Sequence, residues 1–351
     1  MVSIVSTRAA KAPRHPPLPA PILLATTGGT IATTAAPGGS TATKLTAEDL
    51  ASKLDAAALT DVEVEDWASL PSWALGPPEM RDLALRIRDA ARSNRWSGIV
   101  VTHGTTTMEY TAFLADLFLD VETSVVFTGA MRRSDDPAAD GPANLTAALA
   151  LARHEPARSL GAVICFAGKV FAARDAHKSH RDNDDAFESL EGLLGEIKPE
   201  GIILHRVPTR PQAFGGSIEP SVALVKAYPG ADGAVIDLVV DRGAKGVVVE
   251  ALPGAGGIPP RMQPAVERHA GEGLPIVIAS RAPRGRLPSP PTGGTGSPLA
   301  ALGLLSAGTL TAEKSWILLM ACLGEAKTID GAKELFTKVA DPTIEEERVK
   351  I

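Results

Sequence analysis

Two short stretches of this chain pair a glycine with a hydroxyl where chemistry can be done: "TTGGTIATT" (26–34) and "THGTTTM" (102–108). Thr30 directly follows Gly29, and Thr105 directly follows Gly104. Each pair comes after an apolar, β-branched run, at the carboxyl end of an expected strand. In open α/β sheets, that is where loops and helix starts present backbone N–H groups to a ligand. Glycine lets the backbone approach closely, and the hydroxyl faces a helix start that favours anions. The arrangement suits a reactive hydroxyl, although a Gly-Thr pair at a strand end also serves as plain capping. Neither stretch matches GxGxxG, so a dinucleotide site is a poor reading. The glycine clusters "PGAGG" (253–257) and "PTGGTG" (291–296) follow no strand-to-helix context and read as loops.

The elements that must hold these threonines follow from hydrophobic spacing. "PILLATT" (21–27), "GIVVT" (98–102), "SVVFT" (124–128) and "GAVICFA" (161–167) are apolar strand signals. Between them, "PPEMRDLALRIRDAARSN" (77–94) places Met80, Leu83, Ala84 and Ile87 at helical spacing, and "TTMEYTAFLADLFL" (106–119) reads as a second helix. Asp140-Gly141-Pro142 marks another helix start, with an acid at the N-cap and an early proline. Buried strands separated by helices imply an α/β fold with a mostly parallel sheet covered on both faces. "HRVPTRPQAFGGSIEP" (205–220) has no periodicity and is rich in proline and glycine, as linkers are. Beyond it, "SVALVKAY", "VIDLVVDRGAKGVVVEAL", "PIVIAS" and "SWILLMACL" repeat the α/β pattern in a smaller unit. The expected organisation is a disordered extension (1–19), a larger N-terminal α/β domain (20–204), a linker (205–220) and a C-terminal α/β domain (221–345).

Composition narrows the function classes. The 351 residues are 44% hydrophobic with a formal charge of −6, and Lys and Arg are spread along the chain, which argues against a nucleic-acid surface. No run of apolar residues reaches the roughly 18–20 that a bilayer span needs. The N-terminal stretch lacks the apolar core of a secretory signal, and Pro13, Pro16, Pro17 and Pro19 would break a targeting helix. A cytoplasmic location is expected. Cys165 and Cys322 each lie within apolar runs and read as buried thiols of a reducing compartment rather than a disulfide. No cluster of His, Cys and acid has metal-ligand spacing, so neither metal nor cofactor is expected.

"LLATTGGTIATT" together with "GIVVTHGTTTMEYTAFL" resembles the two signature segments of the bacterial-type L-asparaginase and glutaminase family. "VVFTGAMRRSDDPAADGPANL" (125–145), "ARDAHKSHRDND" (173–184) and "GLLSAGTLTAEKS" (303–315) follow in the family's order, so the likeness runs from about residue 20 to 340. The resemblance implies a hydrolase that cleaves a side-chain amide and releases ammonia. It implies Thr30 as the nucleophile, with Thr105 and Lys178 as the group that activates the nucleophile or water. Ser72 of "LPSW" would bind the substrate's α-carboxylate, and Gly29, Trp73, Gly104, Thr106 and Ala130 complete the implied substrate-binding set. The residue types suit that chemistry. A threonine hydroxyl needs a neighbouring base, burial can make a lysine neutral near pH 7, and N–H groups beside the glycines can hold an oxyanion. The family does not use His103, which reads as a loop histidine bonded to backbone. The resemblance also implies a homo-oligomer, a dimer of dimers, because the family completes each site across a subunit boundary.

The chain departs from the family where the substrate's ammonium is held. The residue after the second threonine, an aspartate in the family, is Thr106 here. Nearby, Glu109 lies about one turn into the next helix and Asp116 further along it. The lid after Thr30 (32–45) lacks the family's tyrosine, Trp73 stands where a glutamine is usual, and "PGAGG" and "GGTGSP" lack the cross-subunit asparagine and acid. Losing one partner of a buried charge pair costs about 3–5 kcal/mol. Three readings stay open: an L-asparagine hydrolase with weakened ammonium binding, a hydrolase for an amide without a free α-ammonium, and an inactive amino-acid-binding homologue.

Overall fold

The computed structural model describes residues 20–36, 43–289, 291 and 302–341. The expected extension (1–19), the middle of the lid and nearly all of "PTGGTG" lie outside the described residues. The chain runs through strand β1 (Ile22–Thr26), a 3-10 turn (Thr30–Ala32), the short β2 (Thr33–Thr34) and β3 (Thr43–Lys44), and α1 (Ala47–Ala51). Then come β4 (Val62–Asp66), a 3-10 turn (Ser72–Ala74), α2 (Pro77–Arg92), β5 (Gly98–Thr102), α3 (Met108–Phe118), β6 (Ser124–Thr128) and α4 (Gly141–Arg153). Strands β7 (Ala162–Phe166), β8 (Lys169–Ala172), β9 (Ala176–Lys178), β10 (Phe187–Ser189), β11 (Gly195–Lys198) and β12 (Gly201–Leu204) follow. The remainder comprises β13 (Val222–Lys226), α5 (Ala234–Asp241), β14 (Gly246–Ala251), α6 (Gln263–Gly271), β15 (Ile276–Ser280), β16 (Leu305–Ser306), α7 (Ala312–Glu325) and α8 (Ile329–Ala340).

Eight strands form one sheet in the order β12-β11-β8-β7-β6-β5-β1-β4, and four form a second, β13-β14-β15-β16. From β4 to β7 the large sheet is parallel, whereas β8, β11 and β12 join antiparallel. The small sheet is parallel throughout. This is the mostly parallel α/β architecture that the alternation of apolar strands and helices predicts. β1, β5, β6 and β7 are buried at every residue, because helices cover both faces. Burial of each such Leu, Ile, Val or Phe side chain contributes about 1.5–3 kcal/mol.

The topology decides where a ligand can sit. From β1 the chain passes to β4 on one side, then returns to β5 on the other. The loops leaving β1 and β5 therefore diverge at a switch point, and Thr26 and Thr102 end their strands side by side. Thr30 and Thr105 stand just beyond that crevice.

Sequence patterning missed β2 to β4, β8 to β12, β16, α1, α6 and α8. β4 is an edge strand, "VEVED", with no fully buried residue, and β9 and β10 are three residues each, too short to show a period. Asp140 occupies the N-cap of α4 as expected but does not cap it. Its carboxylate instead accepts hydrogen bonds from the N–H groups of Met131 (2.9 Å) and Arg132 (2.9 Å), shaping the loop after β6.

Candidate active site

Three strand-end loops meet at the carboxyl edge of β4, β1 and β5, and glycines let them touch. Gly28 and Gly29 have φ of 100° and 84°, which favours residues without a Cβ. A Cβ on Gly29 would lie 2.5 Å from the Gly104 Cα, and one on Gly104 would lie 2.5 Å from the Ser72 Oγ. Backbone packs on backbone, and Ser72 fills the space beside Gly104. Thr107 Oγ1 donates to the Ser72 carbonyl (2.8 Å), and Thr27 Oγ1 donates to the Thr102 carbonyl (2.8 Å), pinning the loops together.

A cavity of about 450 Å³ opens there, lined among others by Gly29, Thr30, Lys44, Ser72, Trp73, Gly104, Thr105 and Thr106. Thr30 starts a 3-10 turn, and the β2–β3 pairing carries Lys44 to the rim, where its Nζ donates to the Ser69 carbonyl. Trp73 is 73% exposed at the mouth, while Ser72 is 4% exposed within. Lys44 is the one ionisable side chain among the described lining residues.

Behind Thr105 stands Lys178, the last residue of β9. Its Nζ donates to Thr105 Oγ1 at 2.7 Å, and that hydroxyl also lies 3.7 Å from the Met131 Sδ. Burial lowers the proton affinity of Lys178 from the ordinary lysine value, with the Glu109 charge opposing it. A lysine so placed can exchange a proton with the threonine, which is what a general base for a hydroxyl must do.

Of the expected site residues, the fold gathers Thr30, Gly29, Ser72, Trp73, Gly104, Thr105 and Thr106 around one cavity, and Lys178 abuts it through Thr105. Ala130 is not among its described lining residues; it belongs to the loop after β6 and, at 1% exposure, packs into the core cluster that holds Ile31. His103 is buried, its Nδ1 lies 2.9 Å from the Gly104 carbonyl, and desolvation pushes its pKa down to about 4. It is a neutral, backbone-bonded histidine.

Neither acid of α3 takes the place of an acid at position 106. Glu109 is 6% exposed and turns inward, where its Oε2 accepts from the Lys178 N–H (3.2 Å) and lies 3.4 Å from His177 Nδ1. Asp116 accepts from Arg210 Nε (3.0 Å) and from the Ala162 N–H (2.9 Å), far along the helix.

Sequence reading missed Lys44, Glu109 in its inward role, His177 and Lys314. Lys314 is 2% exposed, and its Nζ donates to the carbonyls of Glu109 (2.5 Å) and Ala173 (2.7 Å). Burial pushes its pKa down to about 8. A lysine inside the apolar run "AEKSWILLMACL" is a readable signal of a buried ammonium, since a lysine there must find acceptors.

Comparison with known proteins agrees over both halves of the chain. The family model for the N-terminal asparaginase domain matches residues 21–210, and that for the glutaminase/asparaginase C-terminal domain matches residues 221–336. A probable L-asparaginase of Deinococcus radiodurans is 33% identical over 320 residues, covering 89% of this chain and 95% of its own. An L-asparaginase of Bacillus licheniformis is 30% identical over 269 residues, covering 76% of this chain and 83% of its own. The crystal structure of a probable cytoplasmic L-asparaginase from Campylobacter jejuni superposes with a TM-score of 0.76 at 28% identity, covering 91% of this chain and 99% of that one.

Proposed function

Since this chain belongs to the asparaginase family, we propose that it hydrolyses the side-chain amide of L-asparagine, or of a closely related compound, to a carboxylate and ammonia. The observation that carries this reading is the 2.7 Å contact from Lys178 Nζ to Thr105 Oγ1, at the wall of the cavity that Thr30 lines. In the proposed reaction, the Thr30 oxygen attacks the amide carbon and gives up its proton. The C–N bond breaks, and the departing nitrogen takes that proton and leaves as ammonia. Water, deprotonated through Thr105 and a neutral Lys178, then attacks the acyl ester, and the Thr30 oxygen leaves reprotonated. Backbone N–H groups beside Gly29 and Gly104 are suited to hold the developing oxyanion.

A second reading, hydrolysis of an amide without a free α-ammonium, is favoured by the lining itself. Thr106 stands at the wall, and the one charge among the described lining residues is the cation of Lys44. The inactive-homologue reading is disfavoured, because Thr30 lines the cavity and Lys178 reaches Thr105. Ammonia release should be followed with L-asparagine, L-glutamine, N-acetylasparagine and 2-oxosuccinamate. The Thr30→Ala variant should fold normally and lose activity by several decades, as removal of a nucleophile does. Retention of more than about a tenth would mean that Thr30 is not the nucleophile.

We further propose a homo-oligomer built from close dimers, by analogy with the family. A monomer by light scattering at micromolar concentration would refute it. The location proposed is the cytoplasm, in keeping with the description of the Campylobacter jejuni neighbour. Among the described residues no helix is long and apolar enough to cross a membrane.

A further inference from the structure

We propose that Glu109 is a positioning residue for Lys178, its carboxylate clamping the lysine's strand to the first turn of α3 so that Nζ stays on Thr105. The inference rests on the amide-hydrolysis reading above. Lys178 lies on neither main sheet: β9 pairs only with β10, three residues against three, in a ribbon of its own. A ribbon so short is marginal in isolation and needs fastening by side chains. A catalytic group displaced by about 1 Å can lose on the order of a hundredfold in rate.

The fastening comes from α3. Glu109 Oε2 accepts from the Lys178 backbone N–H at 3.2 Å and lies 3.4 Å from His177 Nδ1, so one carboxylate grips two successive residues of β9. The residue that carries it is in turn seated from the other half of the chain, because Lys314 Nζ on α7 bonds the Glu109 carbonyl. The same ammonium bonds the Ala173 carbonyl, just before the ribbon, and lies 5.4 Å from the centre of the Phe113 ring. α3, the approach to β9, and α7 thus meet at one buried lysine.

The charged groups facing the clamp come from four elements. His177 shares the lysine's strand, and Glu109 stands on α3. Lys314 and Glu313 face the clamp from α7, and Glu188 stands opposite His177 on β10, engaged by Arg284 (3.3 Å). Of these, Glu109 is the one that acts on the Lys178 proton, raising its affinity against desolvation, while His177 is drawn toward protonation by its bond to the same carboxylate. Removing the Glu109 charge therefore moves the titration of Lys178 to lower pH.

The test uses the full chain with two substitutions. Glu109→Gln keeps an acceptor for the Lys178 N–H but no charge, and Glu109→Ala removes both. Labelling of Lys178 with an amine-reactive reagent, quantified by peptide mass spectrometry against pH, reads its proton without catalysis. The labelling midpoint should fall in Glu109→Gln, and the acid limb of kcat should fall with it. Glu109→Ala should lose kcat by about 10–100-fold with KM changed less than about threefold, and Glu109→Gln should lose less. An unchanged midpoint in Glu109→Gln, or a loss confined to KM, would overturn the proposal. Should Glu109→Ala fail to fold, the Glu109→Gln midpoint still decides. If the unmodified protein releases no ammonia from any amide, the hydrolysis reading fails, and labelling still tests Glu109 on its own.

Discussion

At the scale of single residues, what distinguishes this site is a lone cation at the rim of a cavity whose wall holds a threonine bonded to a lysine. Thr106 lines the cavity, Lys44 brings a cation to its rim, and the acids of α3 are committed elsewhere: Glu109 to β9 and Asp116 to Arg210. Thr106→Asp would add a carboxylate able to make a charge-assisted bond to an α-ammonium, worth about 1.5–3 kcal/mol. L-asparagine turnover at low concentration should then rise by about one to two decades. Substrates without that ammonium should suffer, because an unpaired carboxylate would be desolvated beside them. If both substrate classes respond alike, the exposed Thr106 does not face the substrate's α-nitrogen.

At the scale of elements, the site is a contact between turns rather than a set of side chains on rigid strands. Gly29 and Gly104 make that contact possible, and their tolerance should differ for a geometric reason. At Gly29, with φ of 84°, a Cβ meets the backbone of Gly104, which cannot move aside without moving β5. At Gly104 a Cβ meets both the Oγ (2.5 Å) and the Cβ (2.7 Å) of Ser72. Rotating the hydroxyl relieves the first contact but not the second, so the turn that carries Ser72 must shift, although no positive φ adds strain there. Gly29→Ala should cost at least about 2 kcal/mol from strain and overpacking together, and abolish turnover. Gly104→Ala should cost less stability, from overpacking alone, and raise KM, since it displaces Ser72. Thermal melts beside steady-state kinetics separate the two, and equal losses of stability would contradict this packing.

At the scale of the whole molecule, two sheets are joined by one core. Val248 and Val277 of the small sheet cluster with Leu23, Ile99 and Phe127 of the large one, through α3 and the buried face of α7. Residues 205–220 form no regular element, yet they are strapped down. Arg210 bonds the carboxylate of Asp116 and the carbonyls of Asp116 and Leu119, the Phe214 N–H bonds the Leu117 carbonyl, and Arg88 bonds the Gly215 carbonyl. Heat should therefore unfold the chain in one cooperative transition; two resolved transitions in calorimetry would contradict the shared core. Arg210→Ala leaves Asp116, 9% exposed, without its cation, at a cost of about 3–5 kcal/mol that calorimetry would read as a lower Tm.

The amino-acid sequence by itself determined the parallel α/β architecture and the two Gly-Thr turns. Both are local: a buried strand must be apolar at every position, and a turn with φ near 90° or a backbone-to-backbone contact favours glycine, so each leaves its mark within a few residues. The resemblance of the same segments brought in Lys178, whose own surroundings, "AHKSH", read as an ordinary charged loop. Only the tertiary structure decided that Glu109 turns inward to hold that lysine, that Lys314 reaches across from α7, and that Lys44 reaches the cavity rim. These contacts join residues 69, 205 and 25 positions apart. A side chain's charge is written in the sequence, but the direction it faces depends on elements packed from far along the chain, so no local spacing records it.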